Sequence, residues 1–367
     1  MAQPVNVKGR MPDAFSPRHI LVRVAELAAV IAVVAIAIGS LPGLDEVQER
    51  LAGAEPLWLV ALAAAELGSC AGYLLAFRGT FCTQMPWGLT YDIAMAELAA
   101  NSLLPTGGAG GLALGVWALR QAGMPTGHIA RRTVAFFVVT SAANFIVLIV
   151  VGIGVFLDVI SGRDSAALSL VPALITAFGA LVVCLSPKLL RLVGRRPARA
   201  DRDGWPARVG AAIKAALGAV ADGVEQAILL LRRHSVPVVV GSFAYMAFDI
   251  AALGCGFAAV GGVPAFGTLV LGYLIGQLGN LVPLPGGIGG TEGALIGVFV
   301  LYGVNLTEAS AAVLTYRLFQ LALPALLGAP AFVFLRRRLM RADQPALVCA
   351  PLGVDVVKLP AAGRARA

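Results

Sequence analysis

The sequence has few charged residues and few histidines. Charged side chains make up 13% of the 367 residues, and only three histidines are present. A soluble domain usually carries about 25% charged residues, so an ordinary water-soluble globule is excluded. The hydrophobic share is 59% and the mean hydropathy is +0.85. This balance predicts a polytopic membrane protein.

The sequence also lacks the common motifs of catalysis and metal binding. The five cysteines show no CxxC spacing, and no HExxH, Walker A, nucleophile-elbow or paired catalytic carboxylate motif is present. We therefore expect no catalytic residue, no metal site and no cofactor. We also expect no nucleic-acid partner, although the net charge is +8. The Lys and Arg residues lie between apolar segments and at the ends, where they act as topology signals.

Long apolar stretches predict the membrane spans. A helix of about 20 residues crosses the roughly 30 Å hydrocarbon layer. Six stretches are long enough: 21 to 44, 57 to 77, 133 to 157, 166 to 185, 236 to 260 and 309 to 335. Two further apolar regions, 93 to 119 and 265 to 303, are each divided by glycines. The expected fold is an all-α polytopic membrane protein with about six full spans plus two broken helical hairpins.

The two divisions are copies of one string. The first is Asn101-Ser-Leu-Leu-Pro105-Thr-Gly107-Gly108-Ala-Gly-Gly111, and the second is Asn280-Leu-Val-Pro283-Leu-Pro285-Gly286-Gly287-Ile-Gly289-Gly290. Both copies share one pattern: an Asn, then five residues, then Gly-Gly-x-Gly-Gly. Gly and Pro interrupt helices, and interrupted backbone is tolerated at membrane depth only where it is buried in protein or lines a wet cavity. Duplicated broken helices are typical of transporters built from repeats.

Basic residues predict the orientation. The N-terminal segment, the loop 186–235 and the arginines at 336–341 should be cytoplasmic, and the acidic segment 45–55 should face outward. Counting crossings then requires an even number of passes from each broken region. Two geometries remain open: a re-entrant hairpin with its glycine tip near mid-membrane, or two full spans. Arms of about 12 residues favour the hairpin in the first region, and longer arms weaken that case in the second.

Under this topology the two hairpins enter from opposite sides, so the repeat is inverted. We expect a cytoplasmic N-terminal segment 1–19, a transmembrane domain 20–338 and a disordered C-terminal tail 339–367. The repeat halves are about 57–157 and 236–335. Between them lies a cytoplasmic basic loop with an amphipathic helix, 186–235.

A helix that restarts after a glycine turn presents free N–H groups and its positive dipole end, which suit an anion such as a lipid phosphate. The alternative is that the glycines only allow tight helix packing. The candidate substrate-binding residues are Asn101, Pro105, Gly107, Gly108, Asn280, Pro283, Pro285, Gly286, Gly287, Gly289, Glu292 and Arg317.

Ionisable residues inside apolar segments are costly and indicate a partner or a cavity. Arg317 can bind a carboxylate or a phosphate, so it serves either a structural ion pair with Glu292 or Asp249, or a headgroup, or both. Glu66, Glu97 and Asp249 are candidates for proton coupling or structural ion pairs. Glu97 lies one helical turn before Asn101, so these two should share a face.

The second string, extended to Glu292 and followed by Tyr316-Arg317, resembles the flippase-like family that includes the transmembrane region of lysylphosphatidylglycerol synthase. Asn101-Ser-Leu-Leu-Pro105 is similar to the upstream motif of that family, and the likeness covers most of residues 20–338. The resemblance implies a bacterial-type inner-membrane protein that handles a phospholipid or an isoprenoid-linked headgroup without hydrolysing nucleotide. Many members have Glu and Arg just after the upstream Pro, whereas Thr106-Gly107 follows here, so headgroup preference should differ.

Two functions remain open at this point. The first is a lipid or lipid-linked substrate translocase that binds an anionic headgroup between the two glycine-tipped helices. The second is a non-transporting partner that presents lipid to a separate glycosyltransferase or synthase through the basic loop. An intramembrane enzyme has little support, and no soluble aminoacyl-transferase domain fits after residue 340, so this chain alone should not make aminoacyl-lipids.

Overall fold

The computed structural model describes residues 45–103, 109–162, 165–194, 205–281 and 289–339. The predicted first span, the N-terminal segment and all of the tail after residue 339 lie outside these ranges. The described residues contain helices and no strand. The helices are α1 (Asp45–Ala52), α2 (Pro56–Phe81), α3 (Trp87–Leu103), α4 (Ala109–Gln121), α5 (Thr126–Phe156), α6 (Ala166–Gly194), α7 (Trp205–Ala259), α8 (Phe266–Gly276), a 3-10 segment (Gln277–Leu281), α9 (Gly290–Leu301) and α10 (Leu306–Leu339).

Among the described residues, four stretches of helix are long and apolar enough to cross a membrane. They are Pro56–Phe81, Thr126–Phe156, Val236–Ala259 and Leu306–Leu339. These four confirm the spans predicted at 57–77, 133–157, 236–260 and 309–335. The span predicted at 166–185 lies within α6, whose apolar part Ala166–Val182 is shorter. Large apolar side chains such as Phe137, Ile175 and Phe178 are exposed on the helix surfaces, as a lipid-facing protein requires.

The helix predicted within the basic loop 186–235 is present, but it is not a separate element. It forms one continuous helix of 55 residues, α7, with the span that follows it. Pro237 lies inside α7 and removes one backbone hydrogen bond. The next residue, Val238, is fully buried and packs directly on Gly79 of α2. The sequence predicted the helix within residues 186–235 but not its continuity with the span.

Each glycine string lies between two short antiparallel helices. Hairpin 1 consists of α3, with 17 residues, and α4, with 13. Hairpin 2 consists of α8, with 11 residues, its 3-10 extension, and α9, with 12. At about 1.5 Å per residue, each of these four helices is shorter than a roughly 30 Å hydrocarbon layer. The longer arms expected in the second region, 265 to 303, are not present as α-helix. The 3-10 segment and the interruption before α9 take up more of that apolar stretch.

The two halves of the chain run in opposite directions. Along α2, the glycines Gly68, Gly72 and Gly79 contact Phe248, Tyr245 and Val238 of α7, respectively. The residue number of the α7 partner thus falls as the residue number along α2 rises. Helices α2 and the spanning part of α7 are therefore antiparallel. Each is the first spanning helix of its half, followed by a hairpin and a long helix. The repeat is inverted, as the charge count predicted.

Charged residues gather at the two ends of the helices. The basic end contains Arg78, Arg120, Arg131, Arg132, Arg336, Arg337 and Arg338. At this end Arg338 of α10 forms an ion pair of 2.9 Å with Asp92 near the start of α3. The acidic end contains Asp45, Glu46, Glu49, Glu55 and Glu308. There, Glu55 N–H donates to the Ala259 carbonyl at 3.0 Å, and Gly267 N–H donates to the Ser161 carbonyl at 2.8 Å.

These contacts show where the open end of each hairpin lies. Helix α3 begins and α4 ends beside the basic end, whereas α8 begins and α9 ends beside the acidic end. Each hairpin therefore returns to the end from which it started, as both geometries require. The short arms are what favour the re-entrant geometry over two full spans.

The close approach of α2 and α7 generates a stability prediction. A Cβ at Gly72 would collide with the backbone nitrogen of Tyr245, and backbone cannot move aside as a flexible side chain can. We expect Gly72→Ala to cost about 1–3 kcal/mol, the usual cost of overpacking. Thermal unfolding in detergent or nanodiscs measures this loss.

Gly179→Ala is the matched control, because Gly179 is also a mid-helix glycine and has no other residue within 4 Å of an added Cβ. Alanine there should be neutral or stabilising by up to about 1 kcal/mol. Equal thermal midpoints for the two variants would contradict the close packing of α2 on α7.

Candidate functional site

Asp249 of α7 is the centre of a buried polar network. Its side chain is almost fully buried, with 3% of the residue exposed. Tyr273 of α8 donates a hydrogen bond to Oδ2, and Tyr316 of α10 donates one of 2.8 Å to Oδ1. Gln320 Nε2 lies 3.2–3.3 Å from both oxygens. One carboxyl group thus joins a spanning helix, hairpin 2 and the last spanning helix.

Arg317 extends this network to α9. Its Nε donates to Glu292 Oε1 at 2.7 Å, and its Nη1 donates to Gln320 Oε1. Both members of the Arg317–Glu292 ion pair are largely buried, with 11% and 12% of their side chains exposed. The structural ion pair considered from the sequence is therefore present, and its partner is Glu292. Asp249 is connected to Arg317 through Gln320.

Glu292 also caps its own helix. Its Oε2 accepts a 2.7 Å hydrogen bond from the N–H of Gly289, just before α9 begins. A carboxylate at this place is stabilised by the positive end of the helix dipole. Gly289 has φ of +97°, a conformation that side chains disfavour, which explains glycine there. Glu292 therefore holds both the start of α9 and the guanidinium of α10.

Glu66 of α2 joins the same centre. It is 3% exposed, and its charged neighbours are Asp249 and Arg317. Its Oε2 has no hydrogen-bond partner among the described residues. The antiparallel packing of α2 on α7 explains why two acids from matching spans come together. Buried oxygens without a partner are costly, so this one is a candidate contact for a ligand or a water molecule.

Glu97 occupies a separate position inside hairpin 1. Tyr73 of α2 is its hydrogen-bonding neighbour, and Glu97 Oε2 has no further partner in the described part of the chain. A Cβ on Gly115 of α4 would lie 2.9 Å from that oxygen. The same combination recurs in the other half, where Asp249 bonds Tyr273. In each half a tyrosine–carboxyl pair thus ties the first arm of the hairpin to the spanning helix before it.

Asn101 has a structural role that the shared string did not reveal. Its Oδ1 accepts a 3.0 Å hydrogen bond from the N–H of Gly111, in the first turn of α4. Gly111 also packs against the Glu97 carbonyl, so Glu97 and Asn101 share one face of α3 as predicted. The asparagine caps the second arm of hairpin 1 and holds it against the first. Part of the string therefore builds the hairpin itself.

The glycine just before the second string also allows close packing. A Cβ on Gly279 would lie 2.5 Å from the Gly290 carbonyl and 3.0 Å from Thr291 Cα, so the two arms of hairpin 2 touch here. The remaining candidates in the strings are not among the described residues. They are Pro105, Gly107, Gly108, Pro283, Pro285, Gly286 and Gly287, and the side chain of Asn280.

Four hydrogen-bonding partners of the buried acids were missed as site residues. Tyr273, Tyr316 and Gln320 bond Asp249, and Tyr73 bonds Glu97. Their signal in the sequence is a polar group within an apolar run. Tyr316 and Gln320 are four residues apart and so share a face of α10. Within the described residues, no three His, Cys, Asp or Glu side chains form a group that could hold a metal ion. The network suits hydrogen bonding and charge recognition.

The chain matches one known protein family over most of its length. The family described as the lysylphosphatidylglycerol synthase TM region matches residues 24–328, which include both hairpins and the central ion pair. The chain belongs to this family. Membership and the apolar helices together make it a multi-pass membrane protein of the lipid-modification or flippase-like type. No curated protein matches the chain.

The buried Arg317–Glu292 ion pair gives a second stability prediction. Removing one partner of a buried pair leaves an uncompensated charge, at a cost of about 3–5 kcal/mol. Glu292→Gln and Arg317→Gln should each lower the thermal midpoint clearly. The double variant should lose less than the sum of the two, because it leaves no lone charge.

Glu46→Gln is the control. Glu46 pairs with Arg50 at 3.7 Å and is largely exposed, so its loss should cost at most about 1 kcal/mol. Additive losses from Glu292→Gln and Arg317→Gln would contradict a coupled buried pair.

Proposed function

We propose that this protein is a lipid or lipid-linked substrate translocase, and that the headgroup passes between the two hairpins at the central network. One observation carries the proposal: charged groups of α2, α7, α9 and α10 are buried together at the centre of the spanning helices, beside hairpin 2. Ionisable groups at membrane depth are expensive and are typical of substrate or ion pathways. Family membership supports a flippase-like activity.

In this mechanism Arg317 recognises the phosphate of the headgroup. Glu292 and Gln320 engage two of its five N–H donors. A phosphate is an alternative partner for the guanidinium, so it can compete with Glu292 and loosen the link between α9 and α10. Glu66, Asp249 and Glu97 then accept hydrogen bonds from hydroxyl or ammonium groups of the same headgroup. The chain thus needs no catalytic residue, and it is not an enzyme in this proposal.

The hairpin tips contribute to the same proposed site. The positive dipole ends of α4 and α9 favour an anion between the tips. Because each hairpin opens toward its own end, movement of either hairpin would expose the headgroup to one side at a time, as alternating access requires.

The charge distribution suggests the orientation in the cell. Arginines concentrate at the basic end, and basic residues favour the cytoplasmic side. We place this end in the cytoplasm of a bacterial-type cell, with the N- and C-termini on the same side. The acidic end then faces outward.

A second function is favoured by the part of α7 that precedes its span. Before Val236 this part packs Ala227 and Leu230 against α5, whereas Ile228, Leu229 and Leu231 are exposed. These exposed apolar side chains offer a surface to another protein. In this alternative the chain presents lipid to a separate glycosyltransferase or synthase. Stable co-purification with such an enzyme, without transport by the chain alone, would favour it.

Reconstitution in vesicles tests the translocase. Labelled phospholipids and isoprenoid-linked sugars are offered in turn, and movement between leaflets is measured. We expect the wild type to move at least one of them. Arg317→Ala should slow it about ten- to hundredfold, because a charge-assisted hydrogen bond is worth about 1.5–3 kcal/mol.

Glu292→Gln and Asp249→Asn should also slow movement, whereas Arg50→Gln, at the acidic end, should leave it unchanged. The proposal is overturned if no lipid moves, or if all three central variants transport like the wild type.

A further inference from the structure

A second buried polar cluster lies at the basic end, where α5 begins against the last turn of α2. It consists of Thr80, His128 and Arg132, which are 0%, 8% and 6% exposed. His128 and Arg132 are four residues apart and so share the face of α5 that meets α2. The cluster is far from the central network, because α2 places Glu66 about 20 Å from Thr80 at 1.5 Å per residue.

Part of this cluster caps α2. Arg132 Nη1 donates to the Thr80 carbonyl, and the His128 ring bonds the Phe81 carbonyl. Cationic or polar donors at a helix C-terminus satisfy its free carbonyl groups. Capping explains why an arginine and a histidine are buried here.

Capping does not use all the polar atoms. Arg132 Nε, His128 Nε2 and Thr80 Oγ1 are buried and have no hydrogen-bond partner within the described residues. A buried polar group without a partner costs about 1–3 kcal/mol. Three such groups on two helices in contact, α2 and α5, therefore suggest a partner from outside the chain. Because Nε2 is the unbonded ring atom, Nδ1 is the one that bonds Phe81.

The surroundings are positively charged. The charged neighbours of His128 are Arg131 and Arg132, and the first turn of α5 has no acidic residue. The α5 N-terminus adds the positive end of its dipole. Arg78 on α2 is occupied elsewhere, since its Nε donates to the Met85 carbonyl at 2.9 Å and its guanidinium stacks on Trp87. In the described part of the chain, no carboxylate forms an ion pair with Arg132.

We propose that Thr80, His128 and Arg132 form a second binding site, for the phosphate group of an anion. The Arg132 Nε–H and the Thr80 hydroxyl donate to its oxygens, and His128 Nε2–H does so once the charge of the bound anion offsets the neighbouring arginines and the ring takes up a proton. Three donors and no acceptor carboxylate suit an oxyanion and disfavour a cation. The phosphate belongs either to an anionic phospholipid at the headgroup level of the membrane or to a soluble ion. The site does not depend on translocation through the centre.

Binding to the purified full-length chain tests this site, with one arm for each source of phosphate. In the lipid arm, the protein is equilibrated with phosphatidylcholine nanodiscs that contain increasing phosphatidylglycerol, and bound phosphatidylglycerol is counted by native mass spectrometry. In the soluble arm, inorganic phosphate is titrated into detergent-solubilised protein and the thermal midpoint is followed. Saturable binding in the lipid arm alone assigns a lipid, and in the soluble arm alone a free ion.

The variants are Arg132→Gln and His128→Asn, with Arg131→Gln as the matched control, since Arg131 is exposed on the same turn. We expect Arg132→Gln and His128→Asn to weaken binding about tenfold or more, the effect of losing one charge-assisted hydrogen bond. Arg131→Gln should change it less than about twofold.

Arg132→Gln also removes a cap of α2, and it can fail to fold for that reason alone. His128→Asn then decides the matter. If His128→Asn binds like the Arg131→Gln control in both arms, or if the wild type binds saturably in neither, the residues are only caps and the proposal is overturned.

Discussion

The antiparallel contact of α2 with the spanning part of α7 is the constraint on which the rest of the structure depends. Gly72 and Gly241 remove side chains where the two backbones meet, and close contact between small residues is a main source of helix association in membranes. Because the two helices run in opposite directions, everything that follows each of them is also inverted. The hairpins therefore open toward opposite ends, and Glu66 and Asp249 come together at the centre.

The two halves share an order of elements and differ in their chemistry. Both halves tie the hairpin to the preceding span with a tyrosine–carboxyl pair, Tyr73–Glu97 in the first and Asp249–Tyr273 in the second. Among the described residues, the second half adds the Arg317–Glu292 ion pair, which the first half does not match. A duplicated scaffold can thus position one specific recognition site. The phosphate site proposed at Arg132 lies at the basic end, apart from it.

Apolar run lengths and the distribution of arginines were enough to predict the four described spans, the two hairpins and their inversion. They could not predict that Asn101 caps α4, because the shared string fixes its spacing and not its hydrogen bond. They also left Arg317 with two alternatives, since a guanidinium suits carboxylate and phosphate equally. The network around Asp249 was missed because Tyr273, Tyr316 and Gln320 come from distant positions and meet only after packing. The helix within 186–235 and the span from 236 were both predicted, but not their continuity, because Pro237 lies near the junction and proline usually interrupts a helix.

Sided labelling measures the inversion most directly. Thr126 and Leu306 are the first residues of α5 and α10, hold equivalent places in the two halves and are both exposed. Thr126→Cys and Leu306→Cys are introduced singly into a chain without its native cysteines, and intact cells and inverted vesicles are treated with a membrane-impermeant maleimide. An inverted repeat predicts that Leu306→Cys is labelled only in intact cells and Thr126→Cys only in inverted vesicles. Labelling of both positions from the same side would contradict it.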